Sequence, residues 1–343
     1  MESALSARRL VILGSPRSGT TWLGKIFDSH PDVLYRHEPD TICRNGDIPF
    51  LPEAEAVAAA VPAFAAYLTE LLRVRHPKVT AQAPFFAKKF RPTWASIPHR
   101  ILARAAQGSA WAAERSSGVP VLSVPDMVAQ GRAPEVVVMK SVSSLGRASL
   151  FLEADPTLRL IHIARHPCGQ IASRLRGCRQ ALLDAHTFVG SLARTRLATR
   201  LGLDEPRMAS LSIEGQMACQ WTIANTMVHE ALVGHPRYRF VAYEGLSASP
   251  EAAARAIFEW AGLSWSAQTE EFLHLSTAGS GRERYFGVVR DSRREIGKWQ
   301  KELSQTQVDD ILAIARLTAF GRSIVDRANL TTDMPFGRKG PGS

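Results

Sequence analysis

The feature that most limits the fold stands at the start of the chain. Residues 9–14 (RLVILG) form a short apolar run halted by glycine, the pattern of a buried strand. The turn Gly14-Ser15-Pro16-Arg17-Ser18-Gly19 follows, and residues 20–29 then carry Trp22, Leu23, Ile26 and Phe27 at helical spacing until His30-Pro31 stops them. A strand, a turn with two glycines five apart and a helix N-terminus build a cradle of backbone N–H groups for an anion. The spacing matches the phosphate-loop pattern G-x-x-x-x-G-K-[ST], except that Thr20 stands where the lysine belongs. A nucleotidase uses that lysine on the β- and γ-phosphates and the hydroxyl that follows it on magnesium. Here the cation is Arg17, inside the loop, so the expected anion has no γ-phosphate and needs no metal.

Further apolar, β-branched runs at 33–35, 136–140, 160–164 and 238–243 alternate with helical patterns at 145–152, from 167, at 250–261 and at 306–317. The expected fold class is therefore α/β: a P-loop-like parallel sheet with helices on both faces. Two alanine-rich or helical regions, 45–130 and 180–234, read as insertions covering an acceptor site. One domain is expected over 1–330, with a disordered tail at 331–343. Ligands of such sheets bind beyond the carboxyl ends of the strands, which directs attention to the loops there.

A formal net charge of +10 favours an anionic ligand, but the arginines are scattered and no nucleic-acid-binding module is evident. The four cysteines make no CxxC pair and the ten histidines show no ligand spacing, so no metal site is expected. No apolar stretch approaches a membrane span and no signal peptide is evident, giving the expectation of a cytoplasmic protein with reduced thiols. Oligomeric state leaves no trace in the sequence.

A second anion site is legible at 160–167. There a strand ends in Arg165-His166-Pro167, and Ser173 lies eight residues beyond the arginine on the helix that follows. An arginine fork and a first-turn hydroxyl can share one phosphate.

At this point the chain resembles the sulfotransferase family. PRSGTTW is similar to that family's 5′-phosphosulfate loop, P-[KR]-S-G-T-T-W in many members. The resemblance implies that Arg17, Ser18, Gly19, Thr20 and Thr21, with Trp22 completing the motif, grip the donor 3′-phosphoadenosine-5′-phosphosulfate (PAPS). It implies that Arg165 and Ser173 hold the 3′-phosphate, and that 3′,5′-adenosine bisphosphate is the spent donor. Residues 240–244 (FVAYE) resemble the family's Y-E-D strand end, which places Tyr243 near the adenine, although Gly245 replaces the aspartate. Residues 282–299, with Gly287, Arg290 and Lys298-Trp299, resemble the segment that covers the donor.

Sulfuryl transfer also needs a base beside the loop. Aryl and steroid members take a histidine from K-T-H, but this chain reads Lys140-Ser141-Val142. In the carbohydrate members a glutamate before proline occupies the place of Glu38-Pro39, and Glu38 is the expected base. His37 is the alternative, since adjacent strand residues face opposite ways. Lys140 either assists the donor's bridging oxygen or forms a buried pair. His162, inside an apolar strand, reads as a core residue. The acceptor implied is a hydroxyl on a small molecule or sugar. Two other readings stay open: a kinase or nucleotidase with a degenerate loop, and a non-catalytic binder, for which Glu38 would have no use.

Overall fold

The structure, a computed structural model, describes residues 7–183, 187–278 and 296–328. Five strands form one wholly parallel sheet: β1 (Arg8–Leu13), β2 (Val33–His37), β3 (Val136–Ser141), β4 (Arg159–Ala164) and β5 (Tyr238–Ala242), in the order β2-β3-β1-β4-β5. The register levels their carboxyl ends, with Leu13 opposite Ser141 and His162, His37 opposite Lys140, and Ala164 opposite Ala242. The chain leaves β1 toward β2 on one side, and β4 and β5 lie on the other. The crevice beyond β1 and β4 is thus a topological switch point, where such sheets bind ligands.

Alternation along each strand feeds two cores. Leu10, Ile12, Tyr35, Val138, Ile161, Ile163 and Val241 pack against α1 (Thr20–Asp28) and the helices Pro250–Ala261 and Ala267–Thr277. Val11, Leu13, Met139 and Leu160 face the other way. They meet Phe64, Tyr67, Leu68 and Leu71 of the helix Ala54–Arg73, the helix Ala148–Ala154, and Ala224 and Val228 of the helix Ile213–Leu232.

The edge strand β2 is closed by charge. Buried Arg36 binds Asp126 at 2.7 Å, and Arg75 joins the same carboxylate at 2.8 Å. On α1, Asp28 takes Lys25 at 2.7 Å and Lys88 at 3.0 Å. These pairs fasten the segment around 75–126 over an edge that would otherwise be open to pairing with another chain.

Three sequence expectations change here. First, Ala54–Arg73 is a 20-residue helix long and apolar enough, by length and composition alone, to cross a membrane. Its alanines and Pro62 concealed it from a search for apolar runs, and four of its large side chains are built into the core. Second, the region 180–234 is not a separate insertion throughout: its long helix Ile213–Leu232 lies against the sheet and supports the loops after β1 and β4. Third, the C-terminal helix at Gln305–Ala315 is followed by another at Ala319–Ala328, where Thr318 breaks the run and its hydroxyl accepts the Gly321 N–H at 3.0 Å. The tail 331–343 lies outside the described residues.

Candidate active site

Every candidate residue within the described part of the chain falls at or just beyond the carboxyl edge of the sheet, and they gather into two clusters. The first is the cradle. Between β1 and α1 the backbone turns through left-handed conformations at Arg17 (φ 72°) and Gly19 (φ 95°). Gly19 is needed there on two counts: its φ, and a side-chain carbon at this position would meet the Tyr243 ring at 2.4 Å. Gly14 is equally confined, since such a carbon would lie 2.4 Å from the Ile163 carbonyl.

No side chain caps the N-terminus of α1, and its first turn carries no acid. Its backbone donors and the positive end of its dipole therefore face the loop. Ser18 is fully buried, yet its Oγ has no hydrogen-bond partner among the described residues. A buried donor without an acceptor is costly, and the oxygen of a bound anion would satisfy it. The residues present therefore fit a phosphate or sulfate group.

The second phosphate motif meets the first directly. Arg17 Nε donates to Ser173 Oγ at 3.1 Å, joining residues 156 positions apart. The Arg165 guanidinium lies over the Tyr243 ring, 4.6 Å from its centroid, and beside Gly169 in the first turn of the helix Pro167–Arg179. Tyr243 is thus a buried wedge between Gly19 and Arg165. The Trp22 ring goes into the core, where its Nε1 donates to Ser276 Oγ at 3.1 Å, so the cradle receives only its backbone. Thr20 is buried and Thr21 partly exposed at the helix start. Of the segment 282–299, Trp299 stacks on His166 with rings 10° from parallel and centroids 5.0 Å apart. Arg290 lies outside the described residues.

The supports of this cradle escaped the sequence reading. Gln170 donates to the Pro16 carbonyl at 2.6 Å, and Glu244 accepts the His166 N–H at 2.9 Å. From the helix Ile213–Leu232, Trp221 donates to the Arg165 carbonyl at 3.1 Å and Asn225 to Ser15 Oγ at 3.2 Å. Asn225 also meets His162 Nε2 at 2.9 Å, while the His162 Nδ1 meets Tyr238 at 3.0 Å. Burial pushes the His162 pKa down to about 4, so this imidazole is neutral and fully partnered. The expectation of a core histidine holds. The available signal was polar Asn225 one turn from Trp221, beside the apolar stripe of Met217, Trp221, Ala224 and Val228.

The second cluster stands beyond β2 and β3. Glu38 occupies a left-handed conformation (φ 48°), sparsely populated for a residue with a side chain. It is held by its N–H to the Lys140 carbonyl at 2.7 Å and by the Thr41 hydroxyl on its own carbonyl at 2.8 Å. Its carboxylate, 23% exposed, accepts from the ammonium of Lys140, whose side chain is 2% exposed. Burial, then the opposing pull of Glu38 and the push of nearby Arg17, leave the Lys140 pKa below its ordinary value. Arg36 faces Asp126 and plays no part in this pair.

Asp40, also buried, accepts from Ser144 Oγ at 2.6 Å and from Ser141 Oγ, and burial raises its pKa. His37 meets the Tyr35 hydroxyl at 3.0 Å through Nδ1. Burial first, then Lys140 and Lys25, hold its pKa well below the usual range. Among the described residues no cluster of histidine, cysteine, aspartate or glutamate forms a metal position.

A cradle at a switch point, a second arginine site beside it and a carboxylate–lysine pair at the next strand ends define an α/β group-transfer enzyme for an anionic donor. The sequence profile described as the sulfotransferase family matches residues 9–267, and the chain belongs to that family. It is 26% identical over 317 residues to human carbohydrate sulfotransferase 6, covering 86% of this chain and 75% of the relative. It is 25% identical over 321 residues to mouse carbohydrate sulfotransferase 5, covering 86% and 75%. Among solved structures it is similar to mouse sulfotransferase SULT7A1 complexed with PAP, with TM-score 0.44, 13% identity and coverage of 96% and 92%. The chain is a sulfotransferase, and the kinase reading gives way.

Proposed function

We propose that the enzyme transfers a sulfuryl group from PAPS to a hydroxyl of a sugar or sugar-like small molecule, with Glu38 as general base. The observation that carries the proposal is the Glu38–Lys140 pair, fixed in strained backbone at the strand ends beside a loop whose cation is Arg17. The carbohydrate sulfotransferases among the relatives support the acceptor class.

When bound, the donor supplies the activated sulfuryl group. Arg17, Ser18 and the uncapped N–H groups of α1 hold its sulfonyl and 5′-phosphate oxygens, and Arg165 with Ser173 holds the 3′-phosphate. Lys140 holds the Glu38 carboxylate in place through their ion pair, ready to receive the acceptor hydroxyl's proton as the oxygen attacks. As Glu38 becomes neutral, the Lys140 ammonium loses its counter-charge. It then turns its attraction to the negative charge gathering on the leaving side, which is charge stabilisation made at the moment it is needed. His37, neutral and bonded to Tyr35, is the weaker candidate for the base. All four cysteines are free thiols, which supports a reducing, cytoplasmic setting. Cell fractionation would test this, and recovery only from an oxidising compartment would refute it.

The primary test is calorimetric titration with 3′,5′-adenosine bisphosphate and with ATP–Mg²⁺. Binding of the bisphosphate alone, weakened about tenfold or more in Arg165→Ala, establishes the donor. Binding of ATP–Mg²⁺ in its place sinks it. A screen of sugar hydroxyls, with Glu38→Gln as the inactive control, then finds the acceptor.

A further inference from the structure

The helix Ser96–Ala113 is packed the wrong way round for a core helix. Its buried side consists of His99, Ala103, Ala106 and Ala110, set against Ala81 and Val124. Its outer side carries Ile97 (70% exposed), Ile101 (64%) and Trp111 (59%), and Trp94 (75%) extends the row from the turn just before it. At 3.6 residues per turn, positions 97, 101, 108 and 111 fall within about a quarter of the circumference, opposite the buried alanines. Leu122 (44% exposed) lengthens the patch, its N–H bound to Ser109 Oγ at 3.0 Å. Single exposed apolar side chains are ordinary, but an aligned row with tryptophan at both ends marks a surface that is covered in use.

Charge says what covers it. The helix contains no acidic residue, while Arg100 and Arg104 are exposed along it. Arg115 follows with its guanidinium 4.0 Å over the Trp111 ring. Glu114, the residue that ends the helix, is already bound to Lys78. Tryptophan and isoleucine flanked by arginines, on a helix of modest overall hydrophobicity, is the make-up of an element lying in a bilayer interface. Arginine stems can run along the apolar layer while their heads meet lipid phosphates. A two-fold contact between copies of this chain would instead bring the same three arginines against one another, which like charges oppose.

We propose that this face docks on the surface of a membrane containing anionic lipid, laying Trp94, Ile97, Ile101 and Trp111 into the interface. The inference stands apart from the donor-site reading, and its failure would leave that reading untouched.

The test is co-sedimentation of the whole chain with vesicles of phosphatidylcholine, with and without phosphatidylglycerol, over a range of salt. Binding is expected to the anionic vesicles, to weaken with salt, and to blue-shift the tryptophan emission. Ile97→Ser/Ile101→Ser, altering only exposed side chains, should lower vesicle affinity at least about tenfold. Arg100→Glu/Arg104→Glu should abolish the preference for phosphatidylglycerol. Both variants should keep bisphosphate binding and thermal stability, which shows that they fold. Absence of binding to either vesicle, or equal binding by both variants, overturns the proposal. So does a dimer in light scattering that the serine substitutions dissolve, because a second copy would then be what covers the face.

Discussion

The two ends of the active site are finished to different degrees. At the cradle, among the described residues, Ser18 Oγ lacks a hydrogen-bond partner and no side chain caps α1, so a bound anion would complete it. At the carboxylate corner, Glu38 already has Lys140, and Asp40 Oδ2 already has Ser141 and Ser144, although Asp40 Oδ1 has no hydrogen-bond partner among the described residues. One end spends its polar groups on binding. The other stays self-neutralised until a proton moves. On the proposed roles, affinity and chemistry reside in separate residues, and each can be perturbed alone.

The sharpest way to break this comparison is Glu38→Gln. Turnover should fall by about 10² to 10⁴, the usual worth of a positioned base, while bisphosphate affinity is kept. If affinity fell equally, the two ends would be one unit.

Acid should act on the supports of the cradle, in part through His162 beneath it. The unfolded imidazole takes a proton below about pH 6.5, and the folded one refuses it until about pH 4. Stability is thus unaffected above pH 6.5 and is lost as pH falls through that window, by up to about 3 kcal/mol. Urea melts at pH 7.5 and pH 5 should show the loss, and His162→Gln should remove its share, with His37, His99 and His166, which burial also holds low, supplying the rest.

Arg165→Ala should weaken the bisphosphate about tenfold to a hundredfold, the worth of a charged hydrogen-bonding group, with no change in melting temperature. The smallest pair of effects is the most discriminating. Ser18→Ala should cost donor affinity by a few-fold without destabilising the fold. Ser144→Ala, leaving Asp40 short of a donor, should cost about 1 kcal/mol of stability without changing donor affinity. A reversal of those two outcomes would show that the ends have been assigned the wrong way.

The cradle was readable because phosphate recognition uses consecutive residues: Gly14 to Trp22 carry their geometry in their spacing, and so do Arg165 and Ser173. The parallel sheet was readable because strand and helix periods alternate cleanly around them. The supports were not, because Gln170, Trp221, Asn225 and Glu244 act across 55 residues or more, or from helix positions that look like ordinary core. The partner of Glu38 was not readable, because only the pairing of β2 with β3 brings Lys140 beside it. The outward row on Ser96–Ala113 shows the same limit: periodicity reveals a stripe of large residues without telling which side faces the core.

The Arg17–Ser173 hydrogen bond has a consequence for selectivity. It ties the two anion sites to each other across the crevice, so a ligand that reaches only one of them draws a group away from the other and leaves it short. A ligand long enough to reach both replaces what it disrupts. If these motifs hold the donor as proposed, the enzyme works as a gauge of the span between two phosphates. It should favour nucleotides phosphorylated at both the 3′ and 5′ positions over the far more abundant ones that carry all their phosphates at one end.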